Sequence, residues 1–378
     1  MKYNYIITIT SGLGNQMCQY ALFCYLKFLN QKVKVYCWDK HLNEHNGLEL
    51  TNIFTNTELY LENSKIISYY IDFIVFCNAV RAKINNRFIN KCFNFLGKIF
   101  PKVSVIPQWD NYLFVNDIRG DLINDIFIFP EITDEKNTKL KHSIYTTSSI
   151  SIHIRRTDYI ENPRWRCSHG DICNIDYYKH AINYINSHIE NPQFIVFSDD
   201  IKWSKDNLLL NNAIFVDWNK GKENFRDMQL MSLCKHNIIA NSSFSWWGAV
   251  LNQNNDKIVI SPSKWLNTVE QRNAKKFNFP DWVIIDNNYP NVSLIIEDVI
   301  NNKILKNILQ QTYEDFEILI QKNYNKDQTD KRIKELSNNK PLGNHKFIID
   351  NEELKLFKNR HYLFCKLIQY FKILNNFE

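Results

Sequence analysis

Ile238-Ile239-Ala240-Asn241-Ser242-Ser243-Phe244-Ser245-Trp246-Trp247-Gly248 decides the fold. The first three residues read as a short apolar strand, and the hydroxyl-rich run behind them as the opening of a helix. A helix N-terminus leaves backbone N–H groups unpaired and carries the positive end of the helix dipole. A strand that ends there is where an α/β protein holds a phosphate. The arrangement recurs upstream, where Ile150-Ser151-Ile152-His153-Ile154-Arg155-Arg156-Thr157-Asp158-Tyr159 runs from an alternating strand into two arginines, a carboxylate and an imidazole. Two such segments predict a site for a doubly charged leaving group such as a nucleotide diphosphate, with Asn241, Ser242, Ser243, Phe244 and Ser245 as candidate contacts.

The same logic organises the chain on either side. Tyr5–Ile9 reads as a buried strand, Ser11-Gly12-Leu13-Gly14-Asn15-Gln16 as a glycine turn, and Met17, Tyr20, Ala21, Cys24 and Phe28 fall at helical spacing. Gly14, Asn15 and Gln16 are candidate ligand contacts across a cleft; turn and cap chemistry explains them equally well. Residues 58–101 have helical character, and Phe127–Glu131 with the polar residues to Ser149 reads as a link. Four further strands are expected at Ile150–Ile154, Phe194–Phe197, Asn237–Ala240 and Ile258–Ile260, each ending in polar residues. Helical patterns at Asp176–His188 and Asp227–Lys235 lie between them. Strand–helix alternation predicts a parallel sheet, and ligands bind outside the carboxyl ends of its strands. The expected division is 1–145, 146–290 and 291–378. Beyond Pro290, Asn, Lys and Glu dominate and this logic stops. Residues 352–378 read as an amphipathic helix whose basic face (Lys355, Lys358, Arg360, Lys366, Lys372) lies in solvent, with peripheral membrane contact as the second reading.

Composition narrows the classes. A net charge of +6 suits an anionic ligand and is too weak to argue for nucleic acid. Nine scattered cysteines form no C-x-x-C pair, so zinc ribbons and redox dithiols are not expected, and Cys167–Cys173 reads as free thiols around a polar loop. No metal site is expected. The apolar stretch 66–80 is interrupted by Asp72 and falls short of the roughly 18 residues of a membrane span. The start reads as a strand and not a signal peptide, so a cytoplasmic protein with reduced thiols is expected.

Alternation puts His153 and Arg155 on one face of their strand. An arginine fork never loses its charge and donates two hydrogen bonds to a phosphate. It also stabilises charge building on a departing one. Asp158 can orient an arginine or act as a base. Asp199-Asp200 reads as a helix cap or a sugar-hydroxyl partner. Asp227 either complements a helix dipole or accepts from the N1–H and N2 amine edge of guanine. Trp246-Trp247 reads as packing of a helix on the sheet.

Gly12-Leu13-Gly14-Asn15-Gln16-Met17 with Gln19-Tyr20-Ala21, His153–Tyr159, Asp176-Tyr177-Tyr178, Phe197–Asp200 and the run Asp227–Asn252 together resemble the bacterial α-1,2-fucosyltransferases of glycosyltransferase family 11. The resemblance implies an α/β, GT-B-like architecture: two Rossmann-like lobes facing across a cleft, an acceptor side at 1–145 and a donor side at 146–290. It implies transfer of L-fucose from GDP-β-L-fucose, a donor substrate and not a cofactor, to the 2-hydroxyl of a galactoside in a surface glycan. It further implies inversion and no metal. Carried over by residue, Arg155 binds the β-phosphate with Arg156 in support, His153 and Asp227 contact guanine, and Ser242, Ser243 and Ser245 bind phosphate. Cys18 and Thr157 depart from the family pattern, where an aromatic residue and a glycine are usual. Residues 292–320 resemble the opening of a GT-A family-2 glycosyltransferase without its nucleotide-binding residues. They read as an inactive, decayed fragment.

Overall fold

Strands that end in turn-forming polar residues, separated by amphipathic helices, build parallel sheets because each crossover must pack back on the face it left. The computed structural model describes residues 5–37, 46–59, 69, 73, 102–104, 114–267, 277–286, 292–296, 302–311, 316–320, 333–335, 345–349, 353, 356–357, 359 and 362–374. The expected helical character of residues 58–101 and the apolar stretch 66–80 fall almost wholly outside them.

The first sheet holds β1 (Tyr5–Ile9), β2 (Val33–Cys37) and β3 (Lys102–Ser104), all parallel in the order β2-β1-β3. Helix α1 (Leu13–Phe28) leaves β1 through Ser11, whose φ of 65° makes the turn sharp. Next come α2 (Glu135–Thr146), β4 (Ser148–Ile154), α3 (Thr157–Glu161), α4 (Pro163–His169), α5 (Ile175–His188), β5 (Pro192–Ser198), α6 (Ile201–Leu208) and β6 (Ile214–Val216). Helix α7 (Phe225–Leu233), β7 (His236–Ile238), α8 (Ser243–Leu251), β8 (Val259–Pro262) and β9 (Val283–Ile285) complete this part. The six strands pair in parallel in the order β6-β5-β4-β7-β8-β9. Three expectations change. The stretch after Glu131 is no plain link: Asp134 caps α2 by accepting the Asn137 N–H at 2.9 Å, and Leu140 and Ile144 bury one face of it. Of the expected polar loop at Cys167–Cys173, residues 167–169 end a helix that Asn162 caps and Pro163 opens, and residues 170–173 are turn. The edge strands β6 and β9, three residues each, are too short to carry a period.

The chain lays β4, β5 and β6 outward in one direction, then returns to place β7 against the other side of β4. That reversal is a topological switch point, where adjacent loops part and leave a crevice at the carboxyl ends. Arg155 follows β4, and Asn241–Ser243 follow β7. The first sheet reverses at β1, and Gly12–Asn15 follow it. Both crevices open on one cleft, the GT-B-like arrangement. One core spans the two lobes, from Ile7, Met17 and Cys18 to Ile195, Trp246 and Trp247.

Beyond residue 290 the strand logic continues, contrary to expectation. Strands β10 (Val292–Ile296), β11 (Phe316–Ile320), β12 (Ile333–Glu335) and β13 (His345–Ile348) form a parallel sheet in the order β12-β11-β10-β13, joined by α9 (Asn302–Leu309) and α10 (Tyr362–Leu374). Val292, Leu294, Leu305, Phe316, Leu363 and Leu367 share its core. Helix α10 is the observed part of the expected basic helix. Its Leu363 and Leu367 are buried, and Lys366 pairs with Glu353. Lys355, Lys358 and Arg360 lie outside the described residues. Among the described residues no helix is long and apolar enough to cross a membrane.

Candidate active site

The cleft encloses about 1220 Å³ between the carboxyl ends of the first two sheets. Its floor is a meeting of two helix N-termini. Helix α8 begins at Ser243 and α1 at Leu13, and they come together through Gly14. A Cβ added at Gly14 would stand 2.7 Å from the Phe244 amide nitrogen and 2.8 Å from the Ser243 carbonyl carbon, so only glycine permits this approach. Across the same junction the Ser243 hydroxyl donates to Asn15 Oδ1 at 3.1 Å, and the Trp247 indole N–H donates to the Gly14 carbonyl at 3.0 Å. Two positive dipole ends lie side by side here, an arrangement that an anion beside them relieves.

Arg155 stands beside this floor, 30% exposed. Its Nη2 donates to one oxygen of Asp158 and its Nε lies against the other, each at 2.9 Å, while Nη1 is 3.2 Å from Asp199. Burial opposes its charge, but Asp199 and Asp158 outweigh burial and hold its pKa above the usual value. One Nη2 N–H is spent on Asp158, Nε and Nη1 stand beside carboxylates, and the other donors of the fork remain for a ligand. Asp158 orients the arginine through Oδ2, while its Oδ1 lies beside Nε, buried and without a hydrogen-bond partner. Asp199 also accepts the Arg156 N–H at 2.8 Å and the Thr157 hydroxyl at 2.7 Å, so it pins the turn after β4.

His153 is 6% exposed, packs its ring 5.7 Å from that of Phe244, and has Nδ1 buried with no hydrogen-bond partner. Burial, reinforced by Arg155, pushes its pKa down to about 3, so the imidazole is neutral and offers a ring nitrogen to a ligand. Asp227 lies in the first turn of α7, beyond β6, and lines the cleft. Burial pushes its pKa up to about 7, and the Asn219 amide, donating at 2.8 Å, offsets only part of that. β6 is two strands from β4, or roughly 10 Å at the usual interstrand spacing. That separation suits a nucleoside lying between Asp227 and a phosphate at Arg155.

Gly14, Asn15, His153, Arg155, Asp158, Asp227, Asn241, Ser242, Ser243 and Phe244 all line one cleft. Four expected contacts need correcting. Gln16 is wholly buried: its amide donates to the Ser11 and Gly47 carbonyls, and its oxygen accepts the Glu49 and Leu50 N–H groups at 3.0 Å, so it is turn scaffolding. Ser245 is also buried, with its hydroxyl turned back on the Ala240 and Ser242 carbonyls. Arg156 leaves the cleft, stacking its guanidinium 4.1 Å over Trp203 with Asp200 at 3.5 Å, while Asp200 caps α6. The Asn241 amide is spent on the His169 and Trp265 carbonyls.

Sequence reasoning missed Glu49, Trp165 and His169, which also line the cleft. The Glu49 carboxylate accepts the Leu13 N–H at 3.2 Å and the Asn46 amide at 3.2 Å, and burial raises its pKa. Burial likewise pushes His169 down to about 4. The Asn162-Pro163 helix start was a usable signal for Trp165 and His169; for Glu49 there was none. Among the described residues no three His, Cys, Asp or Glu side chains converge where a metal could sit.

The family model described as glycosyl transferase family 11 matches residues 1–286. An α-1,2-colitosyltransferase of Escherichia coli is 32% identical over 280 residues, covering 70% of this chain and 93% of that protein. An O-antigen biosynthesis glycosyltransferase of Escherichia coli is 39% identical over 171 residues, covering 45% and 52%. A galactoside α-(1,2)-fucosyltransferase of Leontopithecus chrysomelas is 24% identical over 166 residues, covering 41% and 44%. The matched region thus spans about half the length of the last two and nearly all of the first.

Proposed function

The chain belongs to glycosyl transferase family 11, and on that premise we propose that this glycosyltransferase moves L-fucose from GDP-β-L-fucose to the 2-hydroxyl of a galactoside during O-antigen or capsule synthesis. The observation that carries the reading is the anion site of the cleft, which Arg155 and two adjoining helix N-termini line together. The acceptor oxygen attacks the anomeric carbon, the bond from that carbon to the GDP oxygen breaks, and the configuration inverts to α. Charge building on the leaving diphosphate is met by the Arg155 guanidinium and by the amides at Ser243 and Phe244. These fixed positive groups occupy the place a divalent cation would take, so chelation with EDTA should leave turnover unchanged.

His153 and Asp227 are the guanine contacts in this reading. The acceptor hydroxyl's proton goes to a carboxylate on the cleft wall. Asp158 and Asp199 are paired with Arg155, and Asp217 with Lys205. Asp227 stands on the nucleoside side. Glu49, on the opposite lobe and without a cation among the described residues, accepts that proton in this reading. The colitosyltransferase relative favours a second donor, GDP-colitose, in the same cleft. Incubation with GDP-fucose and a β-galactoside, against GDP-colitose and GDP-mannose, tests the reading by GDP release and by NMR of the linkage. No turnover with GDP-fucose would remove fucose from it. The site of action in this proposal is the cytoplasm. Peripheral contact with the inner face of the membrane is the weaker part, because α10 buries Leu363 and Leu367 in the protein itself.

A further inference from the structure

Glycosyltransferases need an acceptor subsite as well as a donor site, and one wall of the cleft has the chemistry for it. Between β4 and α5 the chain makes the α3–α4 excursion, which brings Tyr159, Trp165 and His169 to the cleft. Trp165 stands at the rim of the cleft with 41% of its surface exposed, so its indole is open to a ligand in the cleft. Its ring meets His169 edge-on at 5.2 Å and 68°. His169 lies 4.9 Å from Tyr159, and the Arg155 guanidinium stands 5.8 Å over the Tyr159 ring. An unbroken aromatic path therefore runs from the arginine of the leaving-group site out to Trp165. A sugar lying on that path presents its hydroxyls inward, beside the anomeric carbon. Its apolar C–H face rests on the rings, which is how aromatic side chains with one polar edge serve a half-wet ligand.

The same helix is held from behind. Cys167, two residues on and so about 200° around α4, is fully buried in the core of the C-terminal sheet, and its thiol donates to the Phe364 carbonyl of α10 at 3.8 Å. The far end of α4 is tied down by Asn267, whose N–H donates to the Ser168 carbonyl at 2.9 Å and whose amide donates to Gly170 at 3.0 Å. The region outside the family match thus packs directly against the wall that carries Trp165.

We propose that Trp165 is the stacking platform for the acceptor sugar and that the C-terminal sheet, through α10, fixes the platform by clamping the reverse face of α4. This rests on the transferase reading above. It gives the last quarter of the chain a role in acceptor recognition without catalysis of its own.

The test uses the full chain, with initial rates at varied β-galactoside and GDP affinity by calorimetry. Trp165→Ala should raise the acceptor KM about tenfold, the equivalent of about 1.4 kcal/mol, with GDP affinity unchanged. Trp165→Phe should recover most of that loss. Leu363→Ala with Leu367→Ala, which hollows the clamp and leaves the cleft untouched, should raise the acceptor KM several-fold while GDP binding holds. An acceptor KM within twofold of wild type for Trp165→Ala overturns the platform, and an unchanged KM in the α10 variant overturns the clamp. An equal fall in GDP affinity overturns both, since the damage would then be general. If the wild-type chain releases no GDP from GDP-fucose with any β-galactoside, the transfer reading has failed and not this assignment.

Discussion

The two faces of the cleft are built from opposite materials. The first sheet contributes Thr10, Ser11, Gly12, Leu13, Gly14 and Asn15: a turn, backbone amides and one buried carboxylate from Glu49. The second contributes Arg155, Asp158, Asp199, Asp227, His153 and His169. One face offers a dipole, a shape and a single carboxylate, the other a cluster of charges and titratable groups. The division has a physical basis. A guanidinium must be aimed by other side chains, here Asp158 and Asp199, and a six-stranded sheet with a central switch point has the room to surround it. A helix N-terminus needs no aiming, because the peptide groups are fixed in the helix.

If the charged face does the greater share, Arg155→Ala should lower transfer by about a thousandfold, as loss of a group that meets transition-state charge does, with little change in melting temperature. Arg155→Lys should recover little, since a point charge cannot keep the Asp158 pair and a phosphate together. The neutral face is broken by adding one carbon. Gly14→Ala places a Cβ 2.7 Å from the Phe244 amide nitrogen and drives the lobes apart. A shift near 1 Å is worth about a hundredfold in rate, and GDP affinity should fall with it.

Asp227 sharpens the comparison through pH. Its carboxyl titrates at about 7 in the ligand-free protein because it is buried. If it accepts from guanine as a carboxylate, GDP affinity should weaken as pH falls from 8 to 6, and Asp227→Asn should flatten that profile. Stability runs the other way. A carboxyl whose pKa is raised on folding contributes stability that is full below the unfolded value near 3.9 and is lost as pH rises through 7. Above pH 7 the Asp227→Asn variant should therefore melt higher than wild type, by roughly 2 °C or more. The smallest effect belongs to the bridge between the faces. Ser243→Ala removes one hydrogen bond of 3.1 Å to Asn15, worth about 1 kcal/mol, and should cost a few-fold in KM for the donor. A loss as large as that of Gly14→Ala would make the bridge, and not the close backbone approach, the element that joins the lobes.

The charged face is the more legible one. Arg155, His153 and the Asn241–Phe244 run follow strands with clear periods, so position in the chain gives position at the sheet's edge. Gln16 and Ser245 sit in equally clear motifs but face inward, because a turn tight enough to bring two helices together uses its own side chains to satisfy its backbone. Arg156 reads with its neighbour in the sequence, yet successive residues at a strand end diverge, and Trp203 offers it a surface. Glu49 and Trp165 belong to segments whose relation to the cleft exists only after the sheets have packed. The parallel sheet beyond residue 290 reads as decay because its turns lack ligand chemistry. Its core residues, Leu294 and Phe316 among them, are intact and keep the fold.

The central claim is that Arg155 and the adjoining helix ends hold one diphosphate. A crystal structure with GDP bound tests it most directly. The account predicts β-phosphate oxygens about 2.7–3.2 Å from Arg155 Nη atoms and from the Ser243 or Phe244 amide, with guanine beside His153 and Asp227. A nucleotide whose phosphates lie away from the Gly14–Phe244 junction, with Arg155 still closed on Asp158 and Asp199 alone, would contradict it.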